Sequence, residues 1–226
     1  MADPKNNGKT LWEMITQRGK DQAAPVSFRN PLDLRISSAV LIPHANGPDC
    51  EGFDFSVKEI REYVRRIGSQ EFGFTDYVLR GVNTKTFNAE DEVTVRLRVM
   101  PNQAGGNDSL LLRLYDEFAF NPGFLEVVKD TTGVFQTTDE ASGETERYTR
   151  INDLKDPYEA ALLIVTATTS DGKAEAGQAA QGKLEYWDYW REQEISPGHA
   201  AKRFLFVEMN SDTGWFQIWR GSEFFS

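Results

Sequence analysis

Two histidines, His44 and His199, and one cysteine, Cys50, are the imidazole and thiol ligands the chain offers. A structural zinc site takes four such residues, usually in C-x-x-C or H-x-x-x-H spacing. Neither spacing occurs, so no metal site and no cofactor is expected. Cys50 stands between Asp49 and Glu51, and adjacent carboxylates disfavour the thiolate a nucleophile needs. A Cys50–His44 dyad is conceivable across the loop, but nothing in the local sequence activates it. There is no G-x-S-x-G elbow and no G-x-G-x-x-G, and no G-K-[ST] follows Gly105-Gly106, so nucleophile and phosphate-cradle chemistries are both unsupported. Carboxylates lie close together at Asp116-Glu117 and at Asp188, Glu192 and Glu194. Two carboxyls converging on a groove could hydrolyse a glycoside. Among 35 acidic residues, however, such neighbours arise from composition alone.

The most distinctive local feature is aromatic. Tyr186-Trp187-Asp188-Tyr189-Trp190 puts large rings on both faces of one predicted strand, and Trp215, Phe216, Trp219, Phe224 and Phe225 follow. One face belongs to a core. Rings on the other face must be covered, or they form a surface for a partner or a stacked ligand. Trp187, Tyr189 and Trp219, with Asp188 and Glu192, are therefore the candidate binding residues of the C-terminal part. A second candidate is Trp12, on a short predicted helix over 10–18. Thr10 and Glu13 there form a capping box, Gly19 a stop, and Leu11, Met14 and Ile15 share a face. A linker containing Pro25 separates that helix from the rest, so it could dock on a protein partner or a membrane surface, aided by Lys9, Arg18 and Lys20.

The elements that would carry these residues are mostly strands. Leu32–Ile36 alternates apolar and polar residues, and Val93-Thr94-Val95-Arg96-Leu97-Arg98-Val99 is the cleanest period-two strand, with Thr and Arg expected on its wet face. Further strands are predicted over 72–82, 110–115, 124–128, 133–136, 184–191, 203–209 and 215–220. Segments 74–118 and 184–224 each read as strand–turn–strand–turn–strand. Over 56–67 a helix is the better local reading: Ser56 and Glu59 form a capping box, and Val57, Ile60, Val64 and Ile67 recur at helical spacing. A strand remains the alternative there. Asp156-Pro157 predicts a helix start before Tyr158–Val165. The polar stretches 137–146 and 169–182 read as loops.

Composition bounds the rest. The chain has 226 residues, is 39% hydrophobic, and carries 15 Phe, 7 Tyr and 5 Trp, enough apolar surface to fold without a staple. Its formal charge of −10 repels phosphate backbones, so nucleic acid is not an expected partner. One cysteine precludes an intrachain disulfide and fits a reducing compartment. Met1–Thr10 lacks an apolar h-region, and the longest apolar run, 160–165, falls far short of the roughly 20 residues that span a bilayer. A cytoplasmic protein without a transmembrane segment is expected.

Leu11-Trp12-Glu13-Met14-Ile15, a linker, and then Arg29-Asn30-Pro31-Leu32-Asp33-Leu34-Arg35-Ile36 together resemble the opening of the bacterial YjfK-like family of unknown function. Tyr189-Trp190-Arg191-Glu192, Phe204-Leu205-Phe206-Val207-Glu208 and the strand ending at Gly221 resemble that family's ending. The resemblance implies a gene neighbourhood with a phage-shock-A-like membrane-stress protein, a small membrane protein and a glutathionylspermidine-synthase-like enzyme. It carries over no catalytic residues, and it implies strand over 56–67.

The expected fold is mainly β: antiparallel meanders forming one or two small barrels or sandwiches, with two or three short helices. The expected organisation is a short helix and linker over 1–29, a β-rich unit over 30–136, polar loops around a short helix over 137–182, and a C-terminal β unit over 183–226 packed with 30–136. The expected function is a non-catalytic binding or adaptor protein with a protein partner. The alternative is an enzyme or binding module for a carbohydrate or a cationic, polyamine-like ligand, with Asp188 and Glu192 as its first suspects.

Overall fold

The computed structural model describes residues 30–42, 50–67, 70–86, 92–102, 106–138, 143–151, 157–165, 167–168, 174–175, 184–211 and 213–224. Its elements are β1 (Ala39–Val40), β2 (Phe53–Ile67), β3 (Gln70–Asn83), β4 (Val93–Pro101), β5 (Asn107–Ala119), helix α1 (Pro122–Val128), β6 (Val134–Thr138), β7 (Thr145–Arg150), β8 (Tyr158–Val165), β9 (Ala167–Thr168), β10 (Ala174–Glu175), β11 (Leu184–Ser196), β12 (His199–Asn210) and β13 (Trp215–Glu223). The mainly β expectation holds, and apart from the small β9–β10 pair the strands join one antiparallel sheet. Two meanders build it, β2-β3-β4-β5 and β11-β12-β13, and they meet where β5 pairs with β13. β8 pairs with β2 on one side and with the first residues of β11 on the other. The order of pairing therefore runs from β2 through β5, β13, β12, β11 and β8 back to β2.

The two sides of this circuit are buried differently. Outward from β2–β5, Val57, Ile60, Tyr77, Leu79, Val95, Leu97 and Val99 form a core that is covered by Ile42, Cys50 and the partly buried Leu34 and Ile36. Outward from β11–β13, Trp187, Tyr189, Leu205, Val207, Phe216 and Ile218 form a second core. The β6–β7 hairpin and α1 fold over it: Phe135 lies 5.4 Å from the Tyr189 ring, and Phe124 5.0 Å from the Phe216 ring. The inward face is the unexpected one. Arg96 and Arg98, expected in water, are each only 2% exposed, because Phe206 and Glu208 of β12 and Trp219 of β13 lie over the face they share.

Several local readings are corrected. Residues 56–67 are strand, not helix. The helical spacing of Val57 and Ile60 comes from a bulge between Val57 and Glu59, where one extra residue turns both side chains to the same face of the sheet. Leu32–Ile36 is not a strand. Asp33 and Ser37 take left-handed φ values of 49° and 69°, and the Asn30 amide donates to the Leu34 carbonyl, so this stretch turns while Leu34 and Ile36 still reach the core. Residues 124–128 are helical instead of extended. Asn121 caps α1 by accepting from the Phe124 N–H, and Pro122 opens it. Residues 158–165 form β8, whose backbone finds partners on both edges. Parts of 137–146 belong to β6 and β7 and are not loop. The predicted helix over 10–18, with Trp12, lies outside the described residues.

One glycine makes the seam between the two meanders possible. A Cβ on Gly221 would fall against Leu112 Cδ2 and 2.7 Å from the Leu111 carbonyl oxygen, and a backbone carbonyl in a paired strand cannot yield. At Gly81 the crowding atoms, Phe55 Cε1 at 2.6 Å and Val93 Cγ2 at 2.9 Å, belong to side chains that can move. Gly221→Ala is expected to cost about 2–3 kcal/mol and Gly81→Ala less, read as the difference in urea midpoints at unchanged slope.

Candidate functional site

The charged residues of the inward face come from strands far apart in sequence. β4 supplies Arg96 and Arg98, β3 supplies Asp76, and β12 supplies Glu208, across the circuit. Arg98 grips Asp76 with both ends of its fork, Nε to Oδ1 at 2.8 Å and NH2 to Oδ2 at 2.9 Å, and NH2 also donates to Glu208 Oε1 at 2.9 Å. Arg96 NH1 donates to Glu208 Oε2 at 2.6 Å and lies 3.7 Å from Asp76 Oδ2. Its NH2 donates to Gln217 at 3.0 Å, and Gln217 in turn donates to Glu117. Two guanidiniums face two carboxylates, so the formal charges cancel.

Aromatic rings enclose this group. The Arg96 guanidinium sits 3.6 Å over Trp219, and that of Arg98 sits 4.3 Å over Phe74, 4.8 Å over Phe206 and 5.7 Å over Tyr63. Burial pushes the Glu208 carboxyl up, but Arg96 and Arg98 beside it outweigh that and hold it below its ordinary value. Burial pushes the Tyr63 hydroxyl up to about 12. A general acid or base works best with a pKa near the operating pH. Glu208 is held away from that range as an ionised acceptor with both oxygens engaged. The geometry is that of a closed structural network: it pins the register of β3, β4 and β12 and exposes no reacting group.

The aromatic candidates fall to the cores. Trp187 is 1% exposed, Tyr189 1% and Trp219 3%. Trp187 and Tyr189 belong to the core beneath β6, β7 and α1. The Tyr189 hydroxyl donates to the Val128 carbonyl at 3.0 Å, and Arg150 NH2 donates to the same oxygen at 2.6 Å. Together they satisfy a carbonyl at the C-terminal end of α1. Trp219 instead lies under Arg96. Asp188 is buried and Glu192 exposed. A cavity of about 310 Å³ opens beside Asn30, Pro31, Phe74, Thr75, Pro101 and Asn107, and none of its lining residues is titratable. His199 pairs with Ser196 at the start of β12. His44 lies outside the described residues, and Cys50 is a buried thiol in the outer core. Among the described residues no group of three His, Cys, Asp or Glu is arranged to hold a metal ion, and no helix is long and apolar enough to cross a membrane.

What stays exposed is a different apolar group. Eight large hydrophobic side chains among the described residues are exposed, and five of them, Leu114, Tyr115, Phe120, Val127 and Trp215, stand on or beside β5, α1 and the start of β13. The Phe120 N–H donates to the Gly214 carbonyl at 2.6 Å, so Phe120 and Trp215 flank one junction, and the Phe120 ring stacks on Phe216 at 5.9 Å. Among the described residues of the C-terminal aromatic stretch, only Trp215 is thus offered to solvent as a large ring, at 45% exposure. Sequence reading passed over Phe120 and Val127. The signal available was Asn121-Pro122, which starts a helix immediately after Phe120 and ends β5 with that ring at the turn. No protein-family model, no curated protein and no solved structure matches the chain.

Proposed function

We infer that the chain is a non-catalytic binding protein, an adaptor of the bacterial cytosol that engages a protein partner through the apolar end of the sheet at Phe120, Val127 and Trp215. The observation carrying this reading is the gathering of exposed large apolar side chains at that end. Trp187, Tyr189 and Trp219 are buried, and the buried charges of Asp76, Arg96, Arg98 and Glu208 are paired with one another. Exposed aromatics at the centre of a patch are the residues that dominate protein–protein affinity. The resemblance to YjfK-like proteins supports a setting in an envelope-stress gene neighbourhood, with the 10–18 segment as a second contact to a protein or membrane surface. The sugar or polyamine alternative draws no support from its suspects, since Trp187 and Tyr189 are core and Glu192 stands apart from them.

Trp215→Ser tests the reading. Trp215 is half-exposed, so the substitution should change stability by no more than about 0.5 kcal/mol. Affinity for a partner captured from native bacterial lysate by the full chain should fall at least tenfold, about 1.4 kcal/mol. Unchanged capture by Trp215→Ser and by Phe120→Ser would remove this surface from the proposal.

A further inference from the structure

β5 is longer than its neighbour. It pairs with β4 only from Asn107 to Arg113, while its pairing with β13 continues to Ala119. Among the described residues, 114–119 therefore pair on one edge only. Phe120 N–H turns toward β13, and because backbone groups alternate along a strand, Glu117 and Ala119 turn theirs away from β13. The Glu117 N–H agrees: it is taken at 2.8 Å by the side-chain carboxylate of its own neighbour, Asp116. That carboxylate occupies the place where the carbonyl of an added strand would sit. Flanking this edge are the exposed Leu114, the exposed carboxylate of Asp116, Tyr115, whose ring carries the Arg220 guanidinium at 3.5 Å, and Glu117, whose carboxylate accepts from Gln217.

Resting on the binding reading above, we propose that the partner is held by strand addition: an extended, basic peptide segment lies along β5 at 114–119. Its backbone carbonyl takes the Glu117 N–H, and the displaced Asp116 carboxylate receives a lysine or arginine. Charge complementarity selects this occupant, since two adjacent carboxylates on a chain of net charge −10 repel an acidic strand. Apolar side chains at alternate positions of the peptide would reach Leu114 and the rings beside it. An edge guarded by charged side chains also suits a protein that must not pair with copies of itself, so Asp116 both blocks self-association and selects the peptide.

The test uses the full chain and a short synthetic peptide of alternating lysine and valine. Binding is followed by tryptophan fluorescence and by amide hydrogen exchange. The expected result is slowed exchange at Glu117 and Ala119, at least tenfold weaker binding when alternate peptide amides are N-methylated, and at least tenfold weaker binding to the Asp116→Asn, Glu117→Gln variant. Equal binding of the methylated peptide, absent protection at 117 and 119, or no binding would overturn strand addition. If the peptide fails while Trp215→Ser still loses its captured partner, the apolar surface stands and only the mode of recognition falls. If both fail, the surface itself is lost.

Discussion

Arg98→Met is expected to destabilise the fold by about 3–5 kcal/mol, because it strands a buried carboxylate rather than because it removes an attraction. Arg98 is the sole fork on both oxygens of Asp76 and shares Glu208 with Arg96. With Arg98 gone, Asp76 retains, among the ion pairs of the described residues, the 3.7 Å approach of Arg96, in a site where it is 0% exposed. Replacing all four charges with apolar residues of similar volume, Asp76→Leu, Arg96→Met, Arg98→Met and Glu208→Leu, is expected to be neutral or stabilising by about 1–4 kcal/mol. Chemical denaturation separates the two outcomes. If the single and quadruple variants lose equal stability, the network contributes net attraction beyond specificity.

The same network sets an acid limit. The folded state lowers the Glu208 carboxyl below its ordinary value of 4.5, so the folded state binds fewer protons than the unfolded state between those two values. The stabilisation from Glu208 is fully present above pH 4.5 and disappears as pH falls through the folded value. Urea midpoints of the native chain should therefore drop on acidification below pH 4.5, and the quadruple variant should show a shallower fall. Parallel profiles for the two proteins would show that the acid sensitivity originates elsewhere.

The strand character of this chain was legible wherever period two was clean. Val95, Leu97 and Val99 face one core as the alternation required. The same alternation misplaced Arg96 and Arg98, because it says that they share a face and not what covers it. Their partner Glu208 lies 110 residues beyond Arg98, and no local pattern announces a pairing at that distance. At β2 a bulge shifted the phase of alternation and produced a false helical period. At 158–165 a proline-led apolar run was equally compatible with helix or with a strand paired on both edges, and only β2 and β11 decide between them. The candidate surface was readable only in part. The wealth of aromatics in 184–224 was evident, but which ring stays outside depends on where β6, β7 and α1 fold back, and they cover Trp187 and leave Trp215.

That division between Trp187 and Trp215 carries the second large effect. Trp187→Ala is expected to cost about 3–5 kcal/mol, as for other fully buried large aromatics. Trp187 pairs across the ladder with Val207 and belongs to the core that also holds Tyr148, Tyr189 and Phe216. The cavity left behind cannot collapse easily, because β12 on one side and the α1–β7 layer on the other are fixed by hydrogen bonds, including those of Arg150 and Tyr189 to the Val128 carbonyl. Trp187→Phe should recover more than half of the loss, since a ring is restored and only part of the volume is missing. Trp215→Ala, with the same side chain removed at the open end of the sheet, should move the urea midpoint little. Equilibrium urea unfolding followed by far-ultraviolet circular dichroism reads all three variants without depending on the tryptophans being removed. A small loss for Trp187→Ala together with a large one for Trp215→Ala would reverse the assignment of core and surface. The binding face would then move to the side of β11 that the hairpin covers, and the partner would have to displace β6 and β7 to reach it.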